Sequence, residues 1–491
     1  MESPSLTINV LEHCGVYPSA DANAVTSLPL KFFDLVWLTF HPLGRVIFYD
    51  FQYSTDHFTQ NIVPKIKTSL SLALKHFTPL AGNLILPSNT DSNMDISIHY
   101  LDGDSVSVTF AECISRIINP TECTDNFDHF SGNHARLADV LNPLVPQLPS
   151  ATCTEISGED CSVASLIAIQ VTVFPDRAIC IGITNSHVVA DGSTMFNFVQ
   201  AWASIAKQIN ISDNELDTDN LASSGCFQIP FYDRSSVPDP YGLGDLYKKS
   251  RVASATRQHE KLVKQKEDAA QDSSNIKVRA TFVLTESKIQ ALKNAVLTKL
   301  PTLTHLSSFT VVCAYLWTCF AKTRATVWES EHDLDEPQNF SFAMDARARL
   351  DPPLPAAYFG NCLVGCLGVQ TGRVMIGDEG LVAAAEVFGN AISAKVKNGA
   401  LHGSDKWMEE FAGIIRGEWN IGIAGSPKMD YYNNIDFGWG KALKFEFAQE
   451  PLSLSRCRNS KTDIEIGVIL PKIEMDVFST VLSQGLDTLH G

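Results

Sequence analysis

The chain has 491 residues, 45% of them hydrophobic, and this length predicts two or three domains with a large apolar core. Its 55 Asp and Glu residues against 38 Lys and Arg give a formal net charge of -17, which argues against nucleic acid or an anionic membrane as the main partner. No basic segment precedes an apolar core at the N-terminus, and no apolar run approaches the ~18 residues of a membrane span. We therefore expect a soluble, cytoplasmic protein.

The 12 cysteines lie scattered through apolar segments with neither C-x-x-C nor zinc-ligand spacing, and the closest pair is Cys362 and Cys366. Buried, reduced thiols are the ordinary state of such residues in a cytoplasmic protein. We therefore predict free thiols and no metal site.

The first part of the chain indicates packed strands and one long helix. An aromatic block over residues 37–51 is bulky enough to form one wall of a pocket. Apolar residues three and four apart predict a helix over 62–76, and alternating apolar residues predict strands over 96–100 and 106–110. Core packing explains these elements, so we assign no chemistry to them.

His187 stands between a predicted strand and a predicted helix. The apolar runs 164–173 and 178–184, joined by a Pro-Asp turn, predict a hairpin that ends just before it, and residues 193–207 have helical spacing. A histidine held by rigid elements on both sides can face a cavity, and its near-neutral pKa suits it to take a proton from a hydroxyl group. His187 is therefore a candidate general base.

The residues from His187 form the pattern His-x-x-x-Asp-Gly, which includes Asp191. With 13 histidines, chance alone gives about one His-x-x-x-Asp pattern or fewer, so the pattern by itself is weak. Asp191 also has a purely structural explanation, because an Asp just before a helix accepts hydrogen bonds from the free backbone N–H groups. The local sequence leaves both interpretations open.

A polar segment, residues 211–276, divides the chain into a first domain over 1–210 and a second over 277–491. We predict that this segment crosses between the two halves. It carries a basic run that indicates a solvated helix face, with phosphate contact as the alternative interpretation: Lys248, Lys249, Arg251, Arg257, Lys261, Lys264 and Lys266.

The second half also mixes strands and helices. We predict strands over 278–284, 340–344, 444–447 and 464–470, and helices over 286–298, 306–320, 380–416 and 473–488. Ser307 or Ser308 can cap the second of these helices, or the same helix N-terminus can receive phosphate oxygens.

A second motif, Asp436-Phe437-Gly438-Trp439-Gly440, lies downstream of the histidine pattern. A kinase would need a Gly-rich loop and a His-Arg-Asp loop beside Asp-Phe-Gly, and the chain has neither. The two motifs together resemble those of the plant BAHD acyltransferases, and the likeness runs nearly from end to end. Residues 358–362, Tyr-Phe-Gly-Asn-Cys, resemble the mark of the clade that acylates the sugars of anthocyanins, flavonoids and other phenolic glycosides.

The resemblance implies an α/β fold of two domains like chloramphenicol acetyltransferase. Each domain would hold a mixed β-sheet with flanking helices, and a channel would run between them. It also implies a monomer that takes an acyl-CoA donor as co-substrate and a glycoside acceptor, with no metal and no permanently bound cofactor.

The resemblance also implies roles for individual residues. His187 would be the general base, and Asp191 would form a structural ion pair with Arg347. Asp436 would be either a second catalytic residue or, as we favour, one that shapes the loop with Gly438, Trp439 and Gly440. Ser307 and Ser308 match positions that touch the coenzyme in relatives.

The donor is the least determined feature. Residues 181–185 look more like the malonyl group of the family, and a hydroxycinnamoyl donor is the alternative. Arg177 is a candidate partner for the malonyl carboxylate, although it would lie about 30 Å from His187 along an extended strand. Ser426 is a candidate oxyanion donor. Ser186 departs from relatives that often have a second His there, and a non-catalytic CoA-binding or scaffold protein is the alternative class.

Overall fold

The described residues form four β-sheets with helices packed on them. In the computed structural model these residues are 6–20, 25–89, 94–114, 126–211, 216–248, 276–303, 306–328, 333–407 and 420–487. Within these ranges, the largest sheet has six strands in the order β1 (Ile8–Val16), β6 (Val106–Cys113), β10 (Ile167–Phe174), β11 (Arg177–Asn185), β3 (Leu43–Phe51) and β16 (Lys444–Phe447).

Three smaller sheets accompany the six-stranded one in the described ranges. The five-stranded sheet has the order β2 (Ser27–Pro29), β5 (Ser97–His99), β4 (Asn83–Pro87), β9 (Glu159–Ser165) and β8 (Thr152–Ile156). The four-stranded sheet has the order β17 (Leu452–Arg456), β18 (Ile464–Pro471), β12 (Lys277–Leu284) and β7 (Arg136–Leu137). The three-stranded sheet has the order β14 (Leu363–Thr371), β13 (Pro337–Asp345) and β15 (Asn420–Gly422).

β10 and β11 form the antiparallel hairpin that the sequence predicts, with Ile167 opposite Asn185. Almost every side chain in both strands is buried, which explains why their sequences are apolar throughout rather than alternating. β10 also runs parallel to β6, so the sheet is mixed. The predicted strand over 164–173 is wrong at its start, because the chain changes sheets at Leu166 and the residues before it belong to β9.

Six helices of 14 or more residues pack on the sheets in the described parts of the chain, and the sequence predicts each of them. They are Val63–His76, Gly192–Ile211, Glu286–Lys299, Ser308–Val327, Gly380–Asn398 and Lys472–Asp487. The helix predicted over 380–416 ends at Asn398, before Gly399, which has φ 94°. Residues 408–416 of that prediction lie outside the described residues. Shorter helices are Phe32–Leu35, Thr55–His57, Asn126–Ser131, Thr218–Ser223, Gly372–Ile376 and Tyr431–Asn434.

The sheets do not follow the predicted division at residues 210 and 277. β16, from the second half, adds to the edge of β3, and β7, from the first half, adds to β12. The described part of the predicted crossover, 216–248, packs on the first-half core through Phe227, Leu243 and Tyr247. Of the predicted basic run, only Lys248 is described, and it lies 3.4 Å from a carboxylate oxygen of Asp95.

A buried charge cluster fastens β16 to the four-stranded sheet. Glu446 accepts hydrogen bonds from Arg136 of β7 and from Arg279 Nε of β12, the latter at 3.0 Å. Arg279 also donates to the backbone carbonyls of Phe447 and Ala448, at 2.6 and 2.9 Å. Burial alone would raise the pKa of Glu446, but the two guanidinium charges outweigh it and lower that pKa.

The eleven described cysteines are free thiols, and most of them are buried. Burial raises the pKa of Cys180 and Cys313, so these thiols stay protonated. The described helices include none that combines the length and the apolar character needed to cross a membrane.

Gly182 lies where the segment Ala138–Leu144 crosses the six-stranded sheet. A Cβ atom at this position would overlap the carbonyl oxygen of Leu144, which is backbone and has no side-chain rotamer to relieve the clash. Gly44, on the neighbouring strand β3, has its nearest neighbour at 3.4 Å, in the side chain of Ala448. The two glycines therefore differ in how closely a second backbone approaches them.

We expect Gly182→Ala to lower the free energy of unfolding by about 1–3 kcal/mol or more, because the segment above the sheet must move. The measurement is urea unfolding followed by circular dichroism. Gly44→Ala is the matched control and should leave stability unchanged or slightly raised, since the added methyl group fits and restricts the unfolded chain. Equal effects of the two substitutions would contradict this account.

Candidate active site

His187 lies two residues after the end of β11 at Asn185, and it lines a cavity of about 2100 Å³. Its side chain is largely buried, with 8% of its surface exposed. The imidazole stacks on Trp37, with ring centroids 3.8 Å apart and planes 14° apart, and the ring of Phe40 meets it edge-on at 5.6 Å. Trp37 and Phe40 also line the cavity, so part of the aromatic block forms the pocket wall that the sequence suggests.

Asn361 determines which nitrogen of His187 carries the proton. Its amide nitrogen donates to Asp34 Oδ1 at 3.1 Å and to the backbone carbonyls of His187 and Val188 at 2.9 and 3.2 Å. Since these partners only accept hydrogen bonds, the amide oxygen must face His187 Nδ1, 3.1 Å away. Nδ1 therefore holds the proton, and Nε2 is the unprotonated nitrogen left for the cavity.

Asp34 holds the side-chain amide of Asn361 in its orientation. The carboxylate is fully buried and accepts hydrogen bonds from the backbone N–H groups of Asn361 at 2.9 Å and Lys31 at 3.0 Å. Arg234 Nη1 lies 3.3 Å from Oδ2, the oxygen that also accepts from Lys31 N. Gly360, with φ 121°, leaves room for that guanidinium, which a Cβ atom would overlap. Asp34 is therefore compensated on every side and holds Asn361 in one orientation.

The pKa of His187 is lowered to about 4, chiefly because burial disfavours the charged imidazolium. Asp191 acts in the opposite direction, whereas the positive charge of Arg45 lowers the pKa further. The ring is consequently neutral at physiological pH. A neutral imidazole with its proton on Nδ1 can accept a proton at Nε2.

Asp191 forms the ion pair with Arg347 that the family resemblance implies. The guanidinium nitrogens lie 2.8 and 3.1 Å from the two carboxylate oxygens. Asp191 Oδ1 also accepts from Thr194 N at 3.0 Å, so it caps the helix Gly192–Ile211, and Oδ2 accepts from Cys362 N at 3.1 Å. One carboxylate thus provides both the helix cap and the ion pair, which are structural roles.

Arg347 also contacts the segment 358–362. Its Nη2 donates to the carbonyls of Tyr358 and Gly360, both at 3.1 Å. The segment that carries Asn361 is therefore tied to the helix that follows His187, and the ion pair sets the distance between them.

Asp436 is absent from the residues that line the cavity. Its Oδ1 accepts from the N–H groups of Gly438 and Gly440, both at 2.8 Å, and its Oδ2 accepts from Lys207 Nζ at 2.8 Å. The two glycines have φ values of 93° and 81°, which other residues rarely adopt. This geometry favours loop shaping and gives no support to the catalytic alternative.

The motif also anchors the helix Gly192–Ile211. Phe437 is fully buried, meets Trp202 of that helix edge-on at 4.8 Å and stacks with Trp439 at 5.5 Å. Asn210 donates to the carbonyl of Phe437 at 2.9 Å. The turn therefore packs against the element that carries Asp191 at its start.

Ser307 and Ser308 both line the cavity. Ser307 caps its helix by accepting from Thr310 N at 3.1 Å, and Ser308 accepts from Lys293 Nζ at 3.0 Å. Lys293 and Lys461 line the same cavity. Capping and contact with an anionic ligand are therefore compatible at this helix N-terminus.

Arg177 lies outside the cavity, which corrects its assignment as the carboxylate partner. Arg177 is the first residue of β11, and Asn185 is the last; across the sheet, Arg177 pairs with Phe51. Its guanidinium forms an ion pair with Asp128 at 3.0 Å and lies 4.9 Å from the ring centroid of Phe127. The length of β11 keeps Arg177 away from the cavity, whichever face of the strand its side chain lies on. Ser426 does line the cavity, and its Oγ accepts from Lys428 N at 3.3 Å.

Asn361, Asp34 and Arg45 are site residues that were not predicted individually from the sequence. Arg45 is a charged residue inside the apolar strand β3, a signal that could have identified it as functional. Asn361 lies between aromatic and thiol side chains that are all buried, which is a similar signal.

We expect Asp191→Asn to lower the free energy of unfolding by about 3–5 kcal/mol, because it leaves Arg347 buried without its buried carboxylate partner. Thermal or urea unfolding measures the effect. Asp345 provides the control, since it lies 3.1 Å from the same guanidinium but its side chain is 41% exposed. Asp345→Asn should cost much less, and an equal loss would show that burial does not set the strength of the pair.

A family model described as the Transferase family matches residues 6–484. Malonyl-coenzyme A:anthocyanin 3-O-glucoside-6''-O-malonyltransferase of Dahlia pinnata is 38% identical over 99% of this chain and 98% of its own. Phenolic glucoside malonyltransferase 1 of Nicotiana tabacum is 38% identical over 89% of each chain. Coumaroyl-CoA:anthocyanidin 3-O-glucoside-6''-O-coumaroyltransferase 1 of Arabidopsis thaliana is 31% identical over 97% of each.

The solved structure of vinorine synthase superposes with a TM-score of 0.61 over 96% of both chains, at 16% identity. At this identity the likeness concerns the fold alone, and it confirms the fold class that the motifs imply. With a family model that spans nearly the whole chain, the chain belongs to the Transferase family of BAHD acyltransferases, and it is an acyltransferase.

Proposed function

We propose that this acyltransferase transfers a malonyl group from malonyl-CoA to a sugar hydroxyl of a phenolic, flavonoid or anthocyanin glucoside. The observation that carries the proposal is the neutral His187, whose Nδ1 is bonded to Asn361 and whose Nε2 is left for the cavity. The cavity, about 2100 Å³, exceeds the 300–1,000 Å³ of ordinary ligand pockets, as binding of a coenzyme thioester together with a glycoside requires.

In the proposed reaction, His187 Nε2 takes the proton of the sugar hydroxyl while its oxygen attacks the thioester carbonyl carbon. The carbon–oxygen bond forms, and the carbonyl oxygen becomes a tetrahedral oxyanion. Collapse of this intermediate breaks the carbon–sulfur bond, and the departing thiolate takes the proton back from the imidazolium. The ester and free CoA leave, and no covalent enzyme intermediate forms. Both substrates are therefore bound together in a ternary complex.

Ser426 is the donor that we propose for the oxyanion. It lines the cavity on a loop of the second half, and its oxygen already accepts from Lys428 N, which leaves its hydroxyl proton to donate. One such donor contributes about 3–4 kcal/mol to transition-state stabilisation. Ser307 and Ser308, with Lys293 beside them, are the residues that we propose for the coenzyme phosphates, because a helix N-terminus and a cation both favour anions.

The choice of donor rests on the relatives. Two relatives at 38% identity are named for malonyl transfer, whereas the coumaroyl relative is at 31%. The coumaroyl name keeps hydroxycinnamoyl transfer as the second candidate, and the aromatic wall of Trp37 and Phe40 would suit a flat acyl group. Competition between donors is therefore the direct test.

We expect the purified chain, given equal malonyl-CoA and p-coumaroyl-CoA with a panel of flavonoid and simple phenolic glucosides, to form malonyl esters. Mass spectrometry of the products distinguishes the two donors. Removal of the base in His187→Ala should lower turnover by about 10²–10⁴-fold. A coumaroyl ester as the main product would refute the proposed donor and keep the mechanism.

Asp436→Asn is the companion variant in that assay. It keeps a side-chain oxygen for the N–H groups of Gly438 and Gly440 and gives up only the charge toward Lys207. We expect a much smaller loss of turnover than in His187→Ala. A comparable loss would reassign Asp436 to the catalytic machinery.

The pH profile provides a separate prediction. Because burial lowers the pKa of His187 to about 4, the base stays neutral as the pH falls through 6.5, and kcat/KM should decline only below about pH 5. His41 also lines the cavity, but its hydrogen bond to Glu450 raises its pKa above the ordinary value. If kcat/KM declines already above pH 6.5 and this decline disappears in His41→Gln, the decline belongs to His41. That result would contradict this prediction.

A further inference from the structure

Arg45 brings a buried positive charge to the cavity wall beside the candidate base. It lies in β3, opposite Ile183 of β11 and Phe447 of β16, and only 2% of its surface is exposed. Its Nη2 donates to Asn185 Oδ1 at 2.6 Å, two residues before His187. The guanidinium is thus tied to the same strand end that presents the imidazole.

The other contacts of Arg45 carry no negative charge. It forms a hydrogen bond with the hydroxyl of Tyr431 and lies 5.9 Å from the ring centroid of Phe447. Its Nε is buried and has no hydrogen-bond partner in the described parts of the chain. A buried guanidinium therefore keeps an unused donor and an uncompensated charge.

The remaining buried arginines of the described chain are different. Each of them faces a carboxylate: Arg136 and Arg279 face Glu446, Arg234 faces Asp34, and Arg347 faces Asp191. Leaving a buried charge unpaired is strongly unfavourable, so the pairing of these four is the ordinary outcome. Arg45 departs from it, and it lines the cavity close to His187.

The geometry of a malonyl thioester requires its anion binder to lie close to the base. The free carboxylate carbon is separated by one methylene from the carbonyl carbon that is attacked, a distance of about 2.5 Å between the two carbons. A cation at the far end of β11, where Arg177 lies, is excluded by this distance, whereas a cation beside Asn185 is not. Planar guanidinium groups also bind carboxylates through two parallel hydrogen bonds.

We propose that Arg45 binds the free carboxylate of a malonyl donor and selects dicarboxylic acyl groups over neutral ones. This inference rests on the proposed malonyl transfer and names the residue that would recognise the donor. The donor carboxylate supplies the negative charge that the protein leaves out. A neutral acyl group would leave the guanidinium uncompensated, so the same residue acts against the wrong donor.

The test is the ratio of kcat/KM for malonyl-CoA to that for acetyl-CoA, which lacks the carboxylate. Arg45→Gln keeps a hydrogen-bond donor for Asn185 and removes the charge, and we expect this ratio to fall by about 10- to 100-fold. Arg177→Gln is the matched control, because it removes an arginine that lies outside the cavity, and its ratio should equal that of the unaltered chain.

Thermal unfolding separates donor recognition from a structural role. Without ligand, Arg45→Gln should be at least as stable as the unaltered chain, since it removes an uncompensated buried charge. Malonyl-CoA should raise the melting temperature of the unaltered chain more than that of the variant. If Arg45→Gln does not fold, Arg45→Lys, which keeps the charge but not the planar fork, replaces it and should also show a lower ratio.

The outcomes distinguish this inference from the proposed function. Malonyl transfer by the unaltered chain with an undiminished ratio in the Arg45 variants would overturn the role of Arg45 and leave the malonyl proposal standing. No malonyl transfer by the unaltered chain would overturn both. Malonyl transfer with the expected loss in the Arg45 variants and none in Arg177→Gln would support both.

Discussion

The active site depends on one amide group held between a carboxylate and an imidazole. Asn361 can present its oxygen to His187 only because Asp34 accepts from its nitrogen, and Asp34 is itself held by Arg234 and two backbone N–H groups. If the amide turned over, three of its hydrogen bonds would be lost and Nδ1 would face a donor. The buried network therefore selects the tautomer of His187.

The ion pair of Asp191 and Arg347 joins this network to the helix that follows His187. Asp191 and Arg347 join the start of the helix Gly192–Ile211 to the strand end that carries Asn361, and the turn at Asp436 packs against the same helix. Residues that look catalytic in the sequence thus differ in their position: His187 and Asp191 line the cavity, whereas Asp436 does not. Among them, His187 lines the cavity and, with its proton on Nδ1, has an unprotonated Nε2.

The sequence could predict the six long helices and the hairpin before His187 because their apolar patterns are strong, but it did not predict the nine-residue strand β14. The hairpin before His187 and the helix that begins at Gly192 lie close to their predicted bounds. The sequence could not predict which sheet β7, β15 or β16 would join, since two to four residues carry too little pattern, and it missed β17. These short strands obtain their partners from tertiary contacts, which have no local signature.

Some residues of the candidate site could likewise be predicted from the sequence, and others could not. His187, Asp191 and Arg347 follow from motifs, and the structure brings Asp191 and Arg347 together. Arg177 does not line the cavity because it lies at the start of β11, whereas Asn185 lies at its end, a separation that the strand length already indicated. Arg45 was overlooked because it is more than a hundred residues away in sequence and reaches the cavity only through the pairing of β3 with β11.

The exchange of β7 and β16 also has a consequence for the order in which the chain folds. The six-stranded sheet that carries His187 is built mainly from the first 185 residues, but its edge strand contains residues 444–447. A ribosome must therefore complete most of the polypeptide before this sheet has its last strand. Until then β3 presents an unpaired edge, and an exposed edge of this kind invites pairing with other chains.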